Sequence, residues 1–306
     1  MLEFHTLDVF TDTPYTGNPL AVVLGAEALS DRQMQTIARE FNLSETIFVL
    51  PPDDPAHSAK VRIFFPTAEI PFAGHPTLGC AVHLACKAHA ADEDDFDMLI
   101  TLEEVAGLVP VAVQRRAGKV TGEFVAPVLP HALPGYEGAA LRPELIAAAL
   151  DLAPGELGFT SHRPGIWQGG PAFLYLPLAN RAALARARPI EPHWSALMEA
   201  AGVNAAYLYA QESPDSFHAR MFAPGDGIPE DPATGSASAI LAAQLRAAGV
   251  LTAPEMRFTL HQGIEMGRAS RISLTVEQDA AGLRVVRVAG AAVPISQGFI
   301  TALPHR

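Results

Sequence analysis

Two short stretches place polar residues with chemical capability at the start of apolar helices. One is GHPTLGCAVHLACKA, from Gly74, and the other is GIPEDPATGSASAILAAQL, from Gly227. In the first, His75 precedes Pro76, and Thr77 and Gly79 are small; in the second, Asp231 precedes Pro232, and Thr234, Gly235 and Ser236 are small. Small side chains leave the backbone N–H groups of a first helical turn uncovered. Those groups and the helix dipole attract an anion, so two such ends at the surface would hold a small carboxylate. Asp231 suits the N-cap, with Pro232 at the first helical position and Gly249 closing the helix. A plainer reading stands beside this one. An Asp before a Pro is commonly only a cap, and a histidine at a loop–helix junction is commonly only a hydrogen-bonding residue, although it caps less well than Ser or Asp.

The elements that must position these residues come in two copies. RIFFPTAEIPFAGHPTLGCAV (62–82) lies over RMFAPGDGIPEDPATGSASAI (220–240) without a gap, matching Arg62 with Arg220, Phe64 with Phe222 and Pro66 with Pro224. Upstream, residues 30–50 resemble residues 190–210, and internal duplication is the economical explanation. The first upstream segment predicts a helix with Ser30 and Gln33 in capping-box spacing, a stripe of Met34, Ile37, Ala38 and Phe41, and Asn42 as left-handed C-cap. In the second, Pro192 opens a helix and Gly202 closes it. Each half then enters its apolar helix and ends in strands, with breaks at Ala117-Gly118 and Ala281-Gly282. The expected fold is α+β, two pseudo-symmetric halves, each a curved, mostly antiparallel sheet wrapped around a central apolar helix. The proline-rich segment 123–135 marks the boundary, giving 1–128, joined by 290–306, and 129–289. Glu45 opens the strand ETIFVL, where Glu is disfavoured, and the other copy has Ala205 in its place. A difference between matched halves points to specialised use, whereas a solvent-facing Glu at a strand end needs none.

Bulk properties remove several function classes. A chain of 306 residues with net charge -12 repels nucleic acid and anionic membranes, and its one basic cluster, Arg115, Arg116 and Lys119, reads as a solvated hairpin turn. The acidic run 91–97 lacks the spacing and glycine of a calcium loop and reads as a solvated loop. Cys80 and Cys86 lie about 600° apart around a helix, on different faces, which argues against a disulfide. His75, Cys80 and His83 have no zinc spacing, with Cys80 and His83 expected to face the core, and neither GDG nor GHPTLG is a dinucleotide fingerprint. With no membrane-length apolar run and no signal-peptide pattern in MLEFHTLDVF, a cytoplasmic protein is expected.

The segments DVFTDTPYTGNPLAVV, NLSETIFVL, FFPTAEIPFAGHPTLGCA, GIPEDPATGSA and QGIEMGR resemble the phenazine-biosynthesis isomerase family, PhzF-like, which shares the diaminopimelate epimerase fold. The resemblance spans almost the whole chain. It implies a homodimer that needs neither cofactor nor metal and acts on a small carboxylate. Related epimerases use a cysteine from each half, but here the corresponding places hold Gly74 and Asp231, which removes two-thiol epimerisation. The resemblance instead implies Glu45 as proton shuttle, with His75, Asp231 and Ser236 as its partners and Gly74, Thr77, Thr234 and Gly235 around the substrate. The archetypal reaction isomerises trans-2,3-dihydro-3-hydroxyanthranilate by moving one hydrogen, so no redox carrier is required. A carboxylate-binding protein without chemistry, or a lyase or tautomerase with the same residues, is the alternative.

Overall fold

The computed structural model describes residues 1–89, 95–136 and 141–305. Residues 91–94 of the acidic run lie outside these. The chain divides into two compact units. The first is Met1–Pro127 with Arg268–Arg271 and Val288–Arg306, and the second is Val128–Gly267 with Ile272–Arg287.

In the first unit the elements are β1 (Leu2–Val9), β2 (Asn18–Leu24), α1 (Asp31–Phe41), β3 (Glu45–Leu50), β4 (Ala59–Phe64), β5 (Glu69–Ile70), α2 (Gly74–Ala88), β6 (Phe96–Glu104), β7 (Gly107–Arg116) and β8 (Lys119–Val125). The long last strand of the chain, Gly282–Ile300, contributes its later residues. Pairing runs from that strand through β1, β2, β3, β4, β6, β7 and β8 and returns to it, a barrel-like mixed sheet. The parallel pairs are β2 with β3 and β4 with β6. Each spans a helical crossover, α1 and α2 respectively, because parallel neighbours cannot be joined by a tight turn. α2 contacts β1, β2, β3, β6, β7 and β8, and its residues from Gly74 to Val82 are all buried. An apolar helix without a polar face is stable only when covered in this way.

The second unit contains β9 (His131–Ala132), α3 (Pro143–Leu150), β10 (Gly165–Gln168), β11 (Ala172–Pro177), α4 (Arg181–Arg186), α5 (His193–Ala201), β12 (Ala206–Ser213), β13 (Ser216–Ala223), β14 (Ile228–Asp231), α6 (Gly235–Ala247), β15 (Glu255–Gln262) and β16 (Ser270–Asp279), followed by the last strand, β17 (Gly282–Ile300). β11 is parallel to β12, β12 antiparallel to β13, and β13 parallel to β15 and antiparallel to β14. The first unit repeats this plan with β2, β3, β4, β6 and β5. The duplication extends to side chains. Arg62 stacks 5.2 Å over Phe64 and forks onto Glu69, while Arg220 stacks 4.7 Å over Phe222 and forks onto Glu230. Arg220 is buried and also donates to the carbonyls of Leu184 and Ala187, so its charge is matched on both sides.

Local signals set α1 and α5. Ser30 and Gln33 form the capping box, and Asn42 takes the left-handed C-cap at φ 52°. Pro192 and Gly202 bound α5, with Gly202 at φ 66°. Ala117 and Gly118 turn β7 into β8, where Arg116 forks onto Asp97 and Lys119 reaches Asp12 at the surface. Cys80 and Cys86 are free thiols. No helix is long and apolar enough to cross a membrane among the described residues.

Several features of the fold differ from the sequence reading. Arg268–Arg271, assigned to the second half, belong to the first unit, because Arg268 pairs with Asp8 and donates to the Gly17 carbonyl, and Arg271 N–H donates to Phe10 O. His83 is only partly buried and packs its ring 4.3 Å from that of His5, so it does not face the core as Cys80 does. The two helix starts are not at the surface, since Gly74, His75, Pro76 and Thr77 are buried, as are Thr234 and Gly235. Finally, Gly79 has a packing role. A Cβ there would lie 2.6 Å from Leu20 Cδ2 and 2.7 Å from Val9 Cγ2, and both neighbours are fully buried.

Gly79→Ala therefore sets a helix-propensity gain of about 1 kcal/mol against an overpacking cost of about 1–3 kcal/mol. We expect a net loss of stability in urea unfolding; a stabilised variant would contradict the close packing of α2 on β1 and β2.

Candidate active site

In the first unit, three chain segments bring polar groups together in the core. The start of β2 supplies Asn18, the start of β3 supplies Glu45, and the first turn of α2 supplies His75. All three are buried. Glu45 sits opposite Leu20 in the parallel β2–β3 ladder, which turns its carboxyl away from bulk water. Its Oε2 is 3.3 Å from His75 Nδ1, and Asn18 Nδ2 is 3.3 Å from the same nitrogen. Burial pushes the His75 pKa down to about 3, against an opposing hydrogen bond with the Pro19 backbone, so the ring is neutral at ordinary pH. A neutral ring carries one N–H. With the proton on Nε2, Nδ1 accepts from Asn18, while Glu45 Oε2 approaches the same nitrogen without hydrogen-bond geometry.

His75 lies inside α2, one residue after Gly74, and is not the cap; the N-cap is Ala73, which offers no side-chain oxygen. The Thr77 N–H makes the first intrahelical bond of α2, to Ala73 O at 3.3 Å. The Thr77 hydroxyl is 2.7 Å from Ala73 O and 2.6 Å from Glu104 Oε1. One hydroxyl hydrogen serves one acceptor at a time, so Thr77 donates either to Ala73 O or to Glu104 Oε1. Burial pushes the Glu104 pKa up to about 8, the Thr77 hydrogen bond working the other way, and its Oε2 has no hydrogen-bond partner. Burial and the nearby Glu104 also raise the Cys80 thiol pKa, which leaves Cys80 an inert core residue.

In the second unit, Asp231 ends β14 and α6 begins only at Gly235, with Thr234 as N-cap. Asp231 is thus not the cap, and Pro232 is not the first helical residue. The reason is a competing bond. Asp231 Oδ2 accepts from the Thr234 hydroxyl at 2.6 Å, while Gln262 Nε2 holds the Asp231 carbonyl at 2.7 Å, keeping Pro232 to Thr234 out of the helix. Gly235 is buried as the first helical residue, and Ser236 follows it half-buried. Gly249, at φ 73°, closes the helix as expected.

Sequence reasoning gave no role to Asn18, Glu104 or Gln262. Asn18 and Gln262 lie within the quoted segments TGNPL and QGIEMGR, and a buried amide inside an apolar strand is the signal that could have found them. Glu104 carries no such mark. Among the described residues, no group of three or more His, Cys, Asp or Glu side chains is arranged to hold a metal ion.

Residues 7–298 match the family model described as Phenazine biosynthesis-like protein. The chain is 42% identical over 297 residues to an uncharacterized isomerase of Mesorhizobium japonicum, covering 95% of this chain and 96% of that one. It is 34% identical to the trans-2,3-dihydro-3-hydroxyanthranilate isomerase of Pseudomonas aeruginosa, covering 97% and 99%. Its fold superposes on the crystal structure of a Bacillus anthracis phenazine biosynthesis protein of the PhzF family with a TM-score of 0.82, at 24% identity and with 98% and 99% of the chains covered. The family model and these isomerase relatives make this chain an enzyme of the isomerase class. It belongs to the phenazine biosynthesis-like, or PhzF, family.

The raised pKa of Glu104 predicts a pH dependence of stability. The folded state keeps Glu104 neutral up to about pH 8, while the unfolded chain ionises it near its ordinary 4.5. The stability that the neutral acid contributes is full below about pH 4.5 and is lost as pH rises to about 8, at about 1.4 kcal/mol per pH unit. Glu104→Gln cannot ionise. In denaturant unfolding at pH 5 and pH 8, the variant should gain on the wild type by a few kcal/mol between the two, whereas a constant difference would contradict a neutral Glu104.

Proposed function

We propose that this enzyme isomerises a small carboxylate metabolite by general acid/base proton transfer without a cofactor, with Glu45 as the group that carries the proton. The observation that bears most weight is the buried pairing of Glu45 with a neutral His75 at 3.3 Å. Burial disfavours the ionised form of a carboxyl group, and a carboxyl whose pKa nears the working pH can both give and recover a proton. His75, Asp231 and Ser236 are assigned to the substrate's polar groups, and the first turns of α2 and α6, at Gly74 and at Gly235, to its carboxylate, whereas both donors of Thr234 are already taken by Gln262 and Asp231. Thr77 serves this site by fixing the start of α2. Each half, in this reading, is a sheet wrapped about its apolar helix, so that the helix start is held rigidly. Homodimeric assembly follows from the family resemblance.

One proton moves from one carbon of the substrate to another, so atoms and charge balance without an oxidant or reductant. The substrate named for the Pseudomonas aeruginosa relative, trans-2,3-dihydro-3-hydroxyanthranilate, is the first trial compound. In deuterated water the wild type should isomerise it or exchange a carbon-bound hydrogen. Glu45→Gln should lose about 10²–10⁴-fold in rate while retaining its melting temperature and its affinity for the compound. Full activity in Glu45→Gln would remove Glu45 from this role.

A further inference from the structure

The QGIEMGR segment contributes a side chain to the core of the second unit that the scheme above leaves unused. Gln262 is fully buried at the end of β15. Its Oε1 accepts from Thr234 N–H at 3.1 Å, and its Nε2 donates to Asp231 O at 2.7 Å and to Thr234 Oγ1 at 2.9 Å. Reversing the amide would face its oxygen to the Asp231 carbonyl and its NH₂ to the Thr234 N–H, so chemistry fixes its orientation. Both amide hydrogens are then spent. One of them points at Thr234 Oγ1, which must direct its own hydrogen elsewhere, and the acceptor in reach is Asp231 Oδ2 at 2.6 Å. The direction of every hydrogen in this loop follows from a single amide.

We propose that Gln262 is a positioning residue for the reaction, orienting Thr234 so that Asp231 Oδ2 is held as a hydrogen-bond acceptor and the Asp231 side chain stays in one rotamer. This inference rests on the role given to Asp231 above. A donor aimed at a carboxylate oxygen favours its ionised form, so Gln262 tunes Asp231 as an anion without touching substrate. It also explains why α6 starts late. The same amide that orients Thr234 ties down the Asp231 carbonyl, and a helix beginning at Pro232 would have to break both bonds.

Three variants separate positioning from mere support. Gln262→Ala removes the amide, Thr234→Val removes only the hydroxyl, and Thr234→Ser restores it. With trans-2,3-dihydro-3-hydroxyanthranilate as probe, Gln262→Ala and Thr234→Val should each lose about tenfold or more in kcat with little change in KM, and Thr234→Ser should recover most of it. The carboxyl pKa of Asp231, read by ¹³C NMR, should rise in the first two variants and return in the third. An Asp231 titration that is unchanged in folded Thr234→Val overturns the proposal. If Gln262→Ala does not fold, the Thr234→Val and Thr234→Ser pair decides. If the wild type turns over no substrate, the functional reading fails, and the Asp231 titration still decides the role of Gln262.

Discussion

An imidazole and a carboxyl group held 3.3 Å apart with almost no access to water can adopt few charge states. A lone buried cation costs several kcal/mol, so the ring stays neutral and the proton resides on a nitrogen or on the acid. Both partners lie at the rigid ends of regular elements. Glu45 stands on the first residue of β3 and His75 in the first turn of α2, whose flanks are packed against six strands. A site built on such elements keeps its geometry better than one built on a loop.

The duplicated plan shows where the two units have been put to different use. The Arg-over-Phe stack and its glutamate fork occur in both copies, at Arg62 with Glu69 and at Arg220 with Glu230, and serve the sheet. Around the helix starts the copies part. The first carries Glu45 and His75, and the second has Ala205 and Ala233 at those places, with an acid at Asp231. Each helix start is also secured by a different device. In α2 a buried acid, Glu104, reaches the first turn through Thr77, and before α6 a buried amide, Gln262, reaches Asp231 through Thr234. In both cases a threonine hydroxyl passes a constraint from a strand to the helix start.

Much of the fold was legible in the sequence because its signals are local. The Ser30–Gln33 box, the left-handed Asn42 and the Pro192 and Gly202 bounds each depend on a few neighbouring residues, and the repeat announced the shared topology of the units. The start of α6 was not legible. Local rules favour Asp231 as cap, but Gln262, 31 residues further on, claims its carbonyl and orients the hydroxyl that claims its carboxylate. The small size of Gly79 was visible and its reason was not, since that reason lies on β1 and β2. Glu104 was silent for a like cause. A glutamate at a strand end reads as solvated, and only its tertiary surroundings reveal a neutral acid.

The charge state of His75 tests the central claim most directly. Selective ¹⁵N labelling of histidine would report the protonation of both ring nitrogens across a titration from about pH 4.5 to 9. The account predicts a ring that remains neutral throughout. Protonation of His75 near its ordinary value of 6.5 would place a buried imidazolium beside Glu45 and contradict the account.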